Sequence, residues 1–495
     1  MDTLNIAGAL ISVAWLLCGF CAVGRLESTA SRDRIPEKLF SFLELSALVL
    51  GPAAFLAVWA DNHLADGILN WWHDARERRN LVPLTIFDAS GQEMYSSGES
   101  RRNDLGQAIP ELKKMLYESA RLHASDIFAD PSSGGTLRIR LRVDGALRQL
   151  HDFDPQLGGN VINAVKVAAG MDITEKRRPQ DGAFSIAGDF GKVSLRVASV
   201  GAFGGEKLTI RLLGSGAGPK TLEEAGLSGN TLQCLRNAAR LPSGMVLICG
   251  PTGSGKTTTL YALLKSIDYR MKNVISIEDP IEHVMENVSQ MEVNTKADIT
   301  FAQLLRNSLR QNPDVICLGE IRDEETAQVA VHAAQTGHLI IATIHSSDNV
   351  STIDRIVNLG VPLRSVAGIL QLIVSQRLVR KLCSCAEPDT PSPELTEYLR
   401  NAGLPVDRLR KAKGCRKCGG TGYIGRQAIF DIMVMDDRLR AIFEDEHTTP
   451  ASIKAEIEAQ HGASVMAHEG YKLAAAGVTS VEEVERVTFD MGHNF

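Results

Sequence analysis

The stretch Gly250-Pro251-Thr252-Gly253-Ser254-Gly255-Lys256-Thr257, followed by Thr258, has the residue types and spacing to hold a polyphosphate. Its glycines let successive backbone N–H groups curl around phosphate oxygens. A helix that starts at the lysine adds the positive end of its dipole. Lys256 is placed to reach the β and γ phosphates, and the Thr257 hydroxyl to hold Mg2+. The flanking sequence agrees: "GMVLICGPTGSGKTTTLYALL" reads as a buried strand, a glycine-rich loop and a helix. An ordinary glycine turn is the bland alternative.

A cradle alone hydrolyses nothing. "VISIEDPIE" (Val274–Glu282) closes a strand with Glu278, Asp279 and Glu282, and an acid at that end can orient water or Mg2+. "RQNPDVICLGEIRD" (Arg310–Asp323) is a second apolar strand, ending in Gly319-Glu320. A usual second nucleotide motif has Asp where Gly319 stands, so Glu320 is the candidate for activating the attacking water. A solvated strand-end acid is the rival reading. "TGHLIIATIH" (Thr336–His345) brackets a further strand with two histidines. Lone histidines are more often structural, but His345 at the strand end is a candidate sensor of the γ phosphate.

These residues need a frame. Apolar runs at Met245–Cys249, Val274–Ile277, Val315–Leu318 and Leu339–Thr343 alternate with helical patterns, which predicts a parallel α/β sheet over residues 221–495. Ahead of it, residues 104–213 read as a smaller α+β domain, 214–220 as a linker and 61–103 as a linker or small N-terminal region. A chain of 495 residues has room for two to four domains. Its net charge of −6 and its lack of an aromatic-and-basic strand-binding stretch disfavour nucleic acid as a partner. The 9 cysteines show no secreted disulfide pattern, and Cys249 and Cys317 read as core residues. Leu4–Gly24 and Leu39–Ala60 are long apolar runs, so residues 1–60 are expected to hold one or two transmembrane helices. A signal peptide and two buried core helices are the alternatives. The arginines on either side of the second run do not settle its orientation.

In order and spacing, the four motifs resemble the secretion ATPase family, which powers type II secretion and type IV pilus assembly and has relatives in conjugation. The likeness runs from about Ala120 to Val487. Gly250–Thr257 looks like the family's Walker A, "IEDPIE" like its aspartate box, "RQNPDVICLGEIRDEETA" like its Walker B region and "TGHLIIATIHSSD" like its histidine box. "ASDIFADP" resembles the family's "SDIH" segment, with Phe128 in place of the usual His. "RRPQDGAFSI" and "GEKLTIRLL" also fit.

The resemblance implies an α/β fold: a RecA-like P-loop NTPase domain with a smaller N-terminal, PAS-like α+β domain. It implies ATP hydrolysis with Mg2+ in a homo-hexamer, with Arg196 and Arg211 as the arginines that the smaller domain sends into a nucleotide site. A forked, permanent guanidinium charge suits a transferring phosphoryl group; strand-edge surface arginines are the alternative. Family members that assemble pili or secrete proteins usually carry two Cys-x-x-Cys pairs on a zinc-binding insertion. Here the insertion is 383–425, with Cys383 and Cys385 one residue short of that spacing and Cys415 and Cys418 matching it. Zinc on four thiolates is the expectation, four reduced thiols the alternative. The expected setting is the bacterial inner membrane, with the ATPase domains on the cytoplasmic side and a platform protein and lipid as partners. The rival functions are a RecA-like nucleic-acid motor and a nucleotide-gated membrane scaffold without turnover.

Overall fold

The computed structural model describes residues 82–95, 107–214, 220–294, 297–445, 447–461 and 465–488. Both N-terminal apolar runs lie outside the described residues, as does most of the 214–220 linker. Among the described residues no helix is long and apolar enough to cross a membrane.

The first sheet is built from alternation. In "LRIRLRV", Leu137, Ile139, Leu141 and Val143 are buried while Arg138, Arg140 and Arg142 point the other way. The same period-2 pattern buries Val193, Leu195 and Val197, then Leu208, Ile210 and Leu212. Eight strands result: β1 (Thr85–Phe87), β2 (Glu93–Met94), β3 (Asp126–Pro131), β4 (Leu137–Val143), β5 (Ala146–Phe153), β6 (Gln180–Gly188), β7 (Gly191–Ala202) and β8 (Gly205–Leu213). Their order is β2-β1-β6-β7-β8-β3-β4-β5, every pair antiparallel. Helices Ala108–Arg121 and Pro155–Ala168 pack on each other and bury Leu112, Met115, Leu116, Val161 and Val165. β1 and β2 fall in the segment read from sequence as linker; they extend the sheet edge through Ile86, fully buried opposite Ile186.

The second sheet holds β9 (Gly244–Cys249), β10 (Val274–Glu278), β11 (Ser289–Glu292), β12 (Val315–Leu318), β13 (Leu339–Ile344), β14 (Leu370–Leu382) and β17 (Tyr423–Val434). A two-stranded ribbon, β15 (Glu387–Pro388) and β16 (Arg410–Lys411), lies between the last two. The order β11-β10-β12-β13-β9-β14-β17 is parallel as far as β14, and β17 is antiparallel. β9, β10, β12 and β13 occupy the four apolar runs of the sequence. They are buried along their whole length because helices cover both faces: Met245, Leu247 and Cys249 join one core, Val246 and Ile248 the other.

The two sheets belong to one compact unit, Leu84–Phe495. Asp144, at the β4–β5 turn, accepts from the Gly425 N–H at 2.7 Å and faces Arg426 at 3.7 Å. Arg148 donates to Thr421 Oγ1 at 3.3 Å. The chain's last described helix, Val481–Thr488, is tied to β14 by Glu483, whose side chain is fully buried. Its carboxylate receives the Arg380 N–H at 2.9 Å, the Arg380 guanidinium at 2.6 Å and a fork from Arg486 at 2.7 Å. Arg380 also lies 4.1 Å over the Tyr423 ring.

Burial alone would raise the Glu483 carboxyl, but the bonds from Arg486 and Arg380 outweigh it and bring the group down to about 2. In the unfolded chain the carboxyl titrates near 4.3, so its contribution of about 3 kcal/mol is fully present above that and is lost as pH falls toward 2. Thermal unfolding of Glu483→Gln against wild type should show a lower midpoint at pH 7 and a difference that shrinks below about pH 4. A pH-independent difference would contradict the linkage.

Candidate functional site

β9 ends at Cys249 and the chain turns at once. Gly250 has φ 150°, and a Cβ there would lie 2.6 Å from the Gln376 carbonyl oxygen. Gly255, at φ 89°, caps helix Lys256–Lys265 in the left-handed region that favours glycine. Lys256 is buried; its Nζ donates to the Gly250 and Pro251 carbonyls at 2.8 and 3.1 Å. Ser254 is buried with its Oγ lacking a hydrogen-bond partner. Positive-φ glycines, an orphaned buried hydroxyl and an inward-turned ammonium form the donor set that phosphate oxygens satisfy. Thr257 is half-buried on the first helical turn; Pro251, Thr252, Gly253 and Thr258 are exposed.

From Lys256 a chain of polar contacts runs across the C-terminal ends of three strands. Lys256 Nζ is 3.4 Å from His345 Nδ1, after β13. His345 Nε2 is 3.3 Å from Glu320 Oε2, after β12. Glu320 also pairs with Arg322, which reaches Asp279, after β10, at 3.4 Å. Burial first, then the Lys256 ammonium, hold His345 below its usual range against the pull of Glu320. At Gly319, where an Asp is usual, β10 passes close: a Cβ there would lie 3.3 Å from the Ile277 carbonyl oxygen. Two backbone bonds, Gly319 N to Ile277 O and Ile321 N to Thr343 O, fix the Glu320 backbone from either side.

Glu278 has a different setting. It is buried, and its carboxylate is occupied by the Ser276 hydroxyl at 2.7 Å, Gln290 Nε2 at 3.0 Å and the Tyr261 hydroxyl. Arg196 and Arg211 stand opposite each other on β7 and β8, on the face of the first sheet away from the helices. Arg211 Nε binds Asp126 at 3.0 Å. Among the described residues no hydrogen bond or ion pair joins either arginine to Gly250–Thr257 of the same chain. Three participants escaped the sequence reading. Arg322 lies within "GEIRD", where its spacing gives no sign that it bridges two strand ends. Tyr261 reads as one apolar residue of the "TLYALL" helix. Gln376 packs on the cradle from β14 and accepts from Thr259 at 2.8 Å, and its only signal is a β-branched run some 120 residues downstream.

The four cysteines meet. Sulfur separations are 3.8 Å for Cys383–Cys415, 4.0 Å for Cys385–Cys418 and 3.7 Å for Cys415–Cys418. All four sulfurs lie within 4.8 Å of one another. Tetrahedral zinc–thiolate bonds of about 2.3 Å place sulfurs about 3.8 Å apart, so the short Cys-x-Cys pair still closes a site of the right size. Backbone N–H groups of Cys415 and Gly422 point at Cys418 Sγ at 3.0 and 3.2 Å.

The model of the type II/IV secretion system protein family matches residues 101–486. The chain belongs to this family. It is 38% identical over 388 residues to type II secretion system protein E of Pseudomonas aeruginosa, covering 78% of this chain and 76% of that protein. It is 39% identical over 377 residues to the type IV pilus assembly ATPase PilB of Thermus thermophilus, covering 75% of this chain and 42% of PilB. The pilus retraction motor PilT, solved with bound ADP, superposes with a TM-score of 0.52 at 25% identity, over 76% of this chain and 96% of PilT. The Legionella pneumophila ATPase DotB shares the fold, with a TM-score of 0.56 at 21% identity over 76% of this chain and 95% of DotB. As a family member the chain is an ATPase, and the family's chemistry uses nucleotide and Mg2+.

A methyl group at position 255 meets Gln376 Nε2 at 2.8 Å in a left-handed backbone. Gly255→Ala should therefore weaken ATP binding about tenfold or more, from 1–3 kcal/mol of strain at the cradle. Equilibrium titration with a fluorescent ATP analogue measures it; affinity equal to wild type would show that the turn tolerates a side chain.

Proposed function

We propose that this chain is the motor ATPase of a secretion or pilus-assembly machine, and that the groups strung from Lys256 to Asp279 form its hydrolytic centre. The observation that carries the reading is the convergence of Lys256, His345 and Glu320 from three separate strand ends, with His345 within hydrogen-bond reach of both of the others. The cradle binds the phosphates, and Lys256 reaches the β and γ groups. The Thr257 hydroxyl would hold Mg2+, which would supply positive charge to the phosphoryl oxygens. Glu320 orients a water and takes its proton as the water oxygen bonds to the γ phosphorus; the bond to the β-γ bridging oxygen breaks and ADP leaves. His345, held neutral, senses the γ phosphate. Arg196 and Arg211 make no hydrogen bond or ion pair with their own cradle among the described residues, and they serve the nucleotide site of a neighbouring copy in a ring of six. ATP favours the closed interface, ADP release relaxes it, and the cycle drives a membrane platform that pushes pilin-like subunits outward. The motor sits at the bacterial inner membrane with its ATPase domains in the cytoplasm, and residues 1–60 fasten it there.

Cys383, Cys385, Cys415 and Cys418 hold zinc, which shapes the 383–425 insertion and does not take part in hydrolysis.

Two measurements test this. Glu320→Gln should lower ATP turnover by about 100-fold or more while keeping ATP binding; turnover equal to wild type would sink the assignment of the base. Metal analysis of purified protein should find about one zinc per chain, falling by more than half in Cys418→Ser. An unchanged zinc content would place the metal elsewhere.

A further inference from the structure

Glu278 ends β10 in the cluster that the sequence marks as catalytic, yet its carboxylate is spent on its own neighbours. Ser276 and Gln290 bind one oxygen and Tyr261 the other. Tyr261 lies on the helix that begins at Lys256. Its hydroxyl donates to Glu278 and accepts the backbone N–H groups of Glu282 and His283, each at 3.2 Å. The His283 ring packs edge-on against the same phenol, with centroids 5.4 Å apart. Gln290 holds the next stretch: its Nε2 donates to the His283 carbonyl at 2.9 Å, and its Oε1 accepts from Met285 N at 2.7 Å. Four backbone groups of Glu282–Met285 are thus held by two side chains, and both side chains converge on Glu278.

The segment so held matters at both ends. Asp279 reaches Glu320 through Arg322. Glu282 lies within electrostatic reach of Arg211 on the first sheet.

We propose that Tyr261 and Gln290 are positioning residues, and that Glu278 acts through them, fixing the 279–285 segment to the phosphate-loop helix instead of working on the attacking water. A shift of that helix then moves Asp279 and Glu282 as one piece, which ties the cradle both to Glu320 and to the arginine face of the smaller sheet. The inference rests on the ATPase reading above for its activity arm, and on the fold alone for its structural arm.

The test measures kcat and KM for ATP, and backbone amide hydrogen exchange across 279–286, in wild type, Tyr261→Phe, Gln290→Leu and Glu278→Gln. Tyr261→Phe removes one oxygen and leaves the ring. It should lower kcat about tenfold or more with KM changed less than about threefold, and speed exchange at Glu282 and His283 by a similar factor. Glu278→Gln should show the same paired signature. Gln290→Leu, which strips a different pair of segment contacts, carries the test if Tyr261→Phe does not fold. Two outcomes overturn the inference: Tyr261→Phe with wild-type kcat and exchange, or Glu278→Gln with turnover abolished and exchange unchanged, which would make Glu278 act on water. Wild type without turnover would sink the ATPase reading instead, and the exchange data would still decide the positioning role.

Discussion

The structure is organised around one requirement: several backbone N–H groups must point inward at the end of a strand that has no solvent around it. A turn of that kind needs left-handed residues, hence Gly253 and Gly255, and a close approach at Gly250. It also needs a strand that cannot move. β9 meets that need by sitting between β13 and β14, buried on both faces. Once β9 is central and parallel to its neighbours, the ends of β10, β12 and β13 emerge on the same edge of the sheet. Glu320 and His345, 64 and 89 positions after Lys256 in the chain, are delivered to the cradle by strand order, without long loops.

That logic explains what was legible in the sequence. The cradle, Glu320 and His345 each follow a short apolar run, so motif and element announce each other. The cysteines were legible by residue type, though the short pair left closure of the site open until the sulfur distances were known. Other parts were hidden for physical reasons. β1 and β2 span three and two residues, too few to show a period. β14 and β17 pair across some 50 residues, and their partnership is a non-local fact. Gln376 and Arg380 derive their importance from that pairing. Tyr261 looks apolar in its helix, and only the fold shows that its hydroxyl faces the end of β10.

The smaller sheet divides its labour between faces. One side is a plain apolar floor for two helices. The other carries Arg138, Arg140, Arg142, Arg196 and Arg211, partly neutralised by Asp126, Asp130 and Asp152. Those carboxylates matter because unpaired guanidinium groups on adjacent strands repel one another. They offset that repulsion while leaving Arg196 and much of Arg211 exposed. Phe128, standing under Arg142 at 5.3 Å, adds a ring face to the same array.

The contacts of Asp144 and Arg148 carry a mechanical meaning. They bind the tip of one hairpin to the segment between Cys418 and Arg426, close to where β17 begins. The segment that closes the thiolate cluster is therefore also the segment that fastens the smaller sheet to the larger one, so the order of one depends on the order of the other.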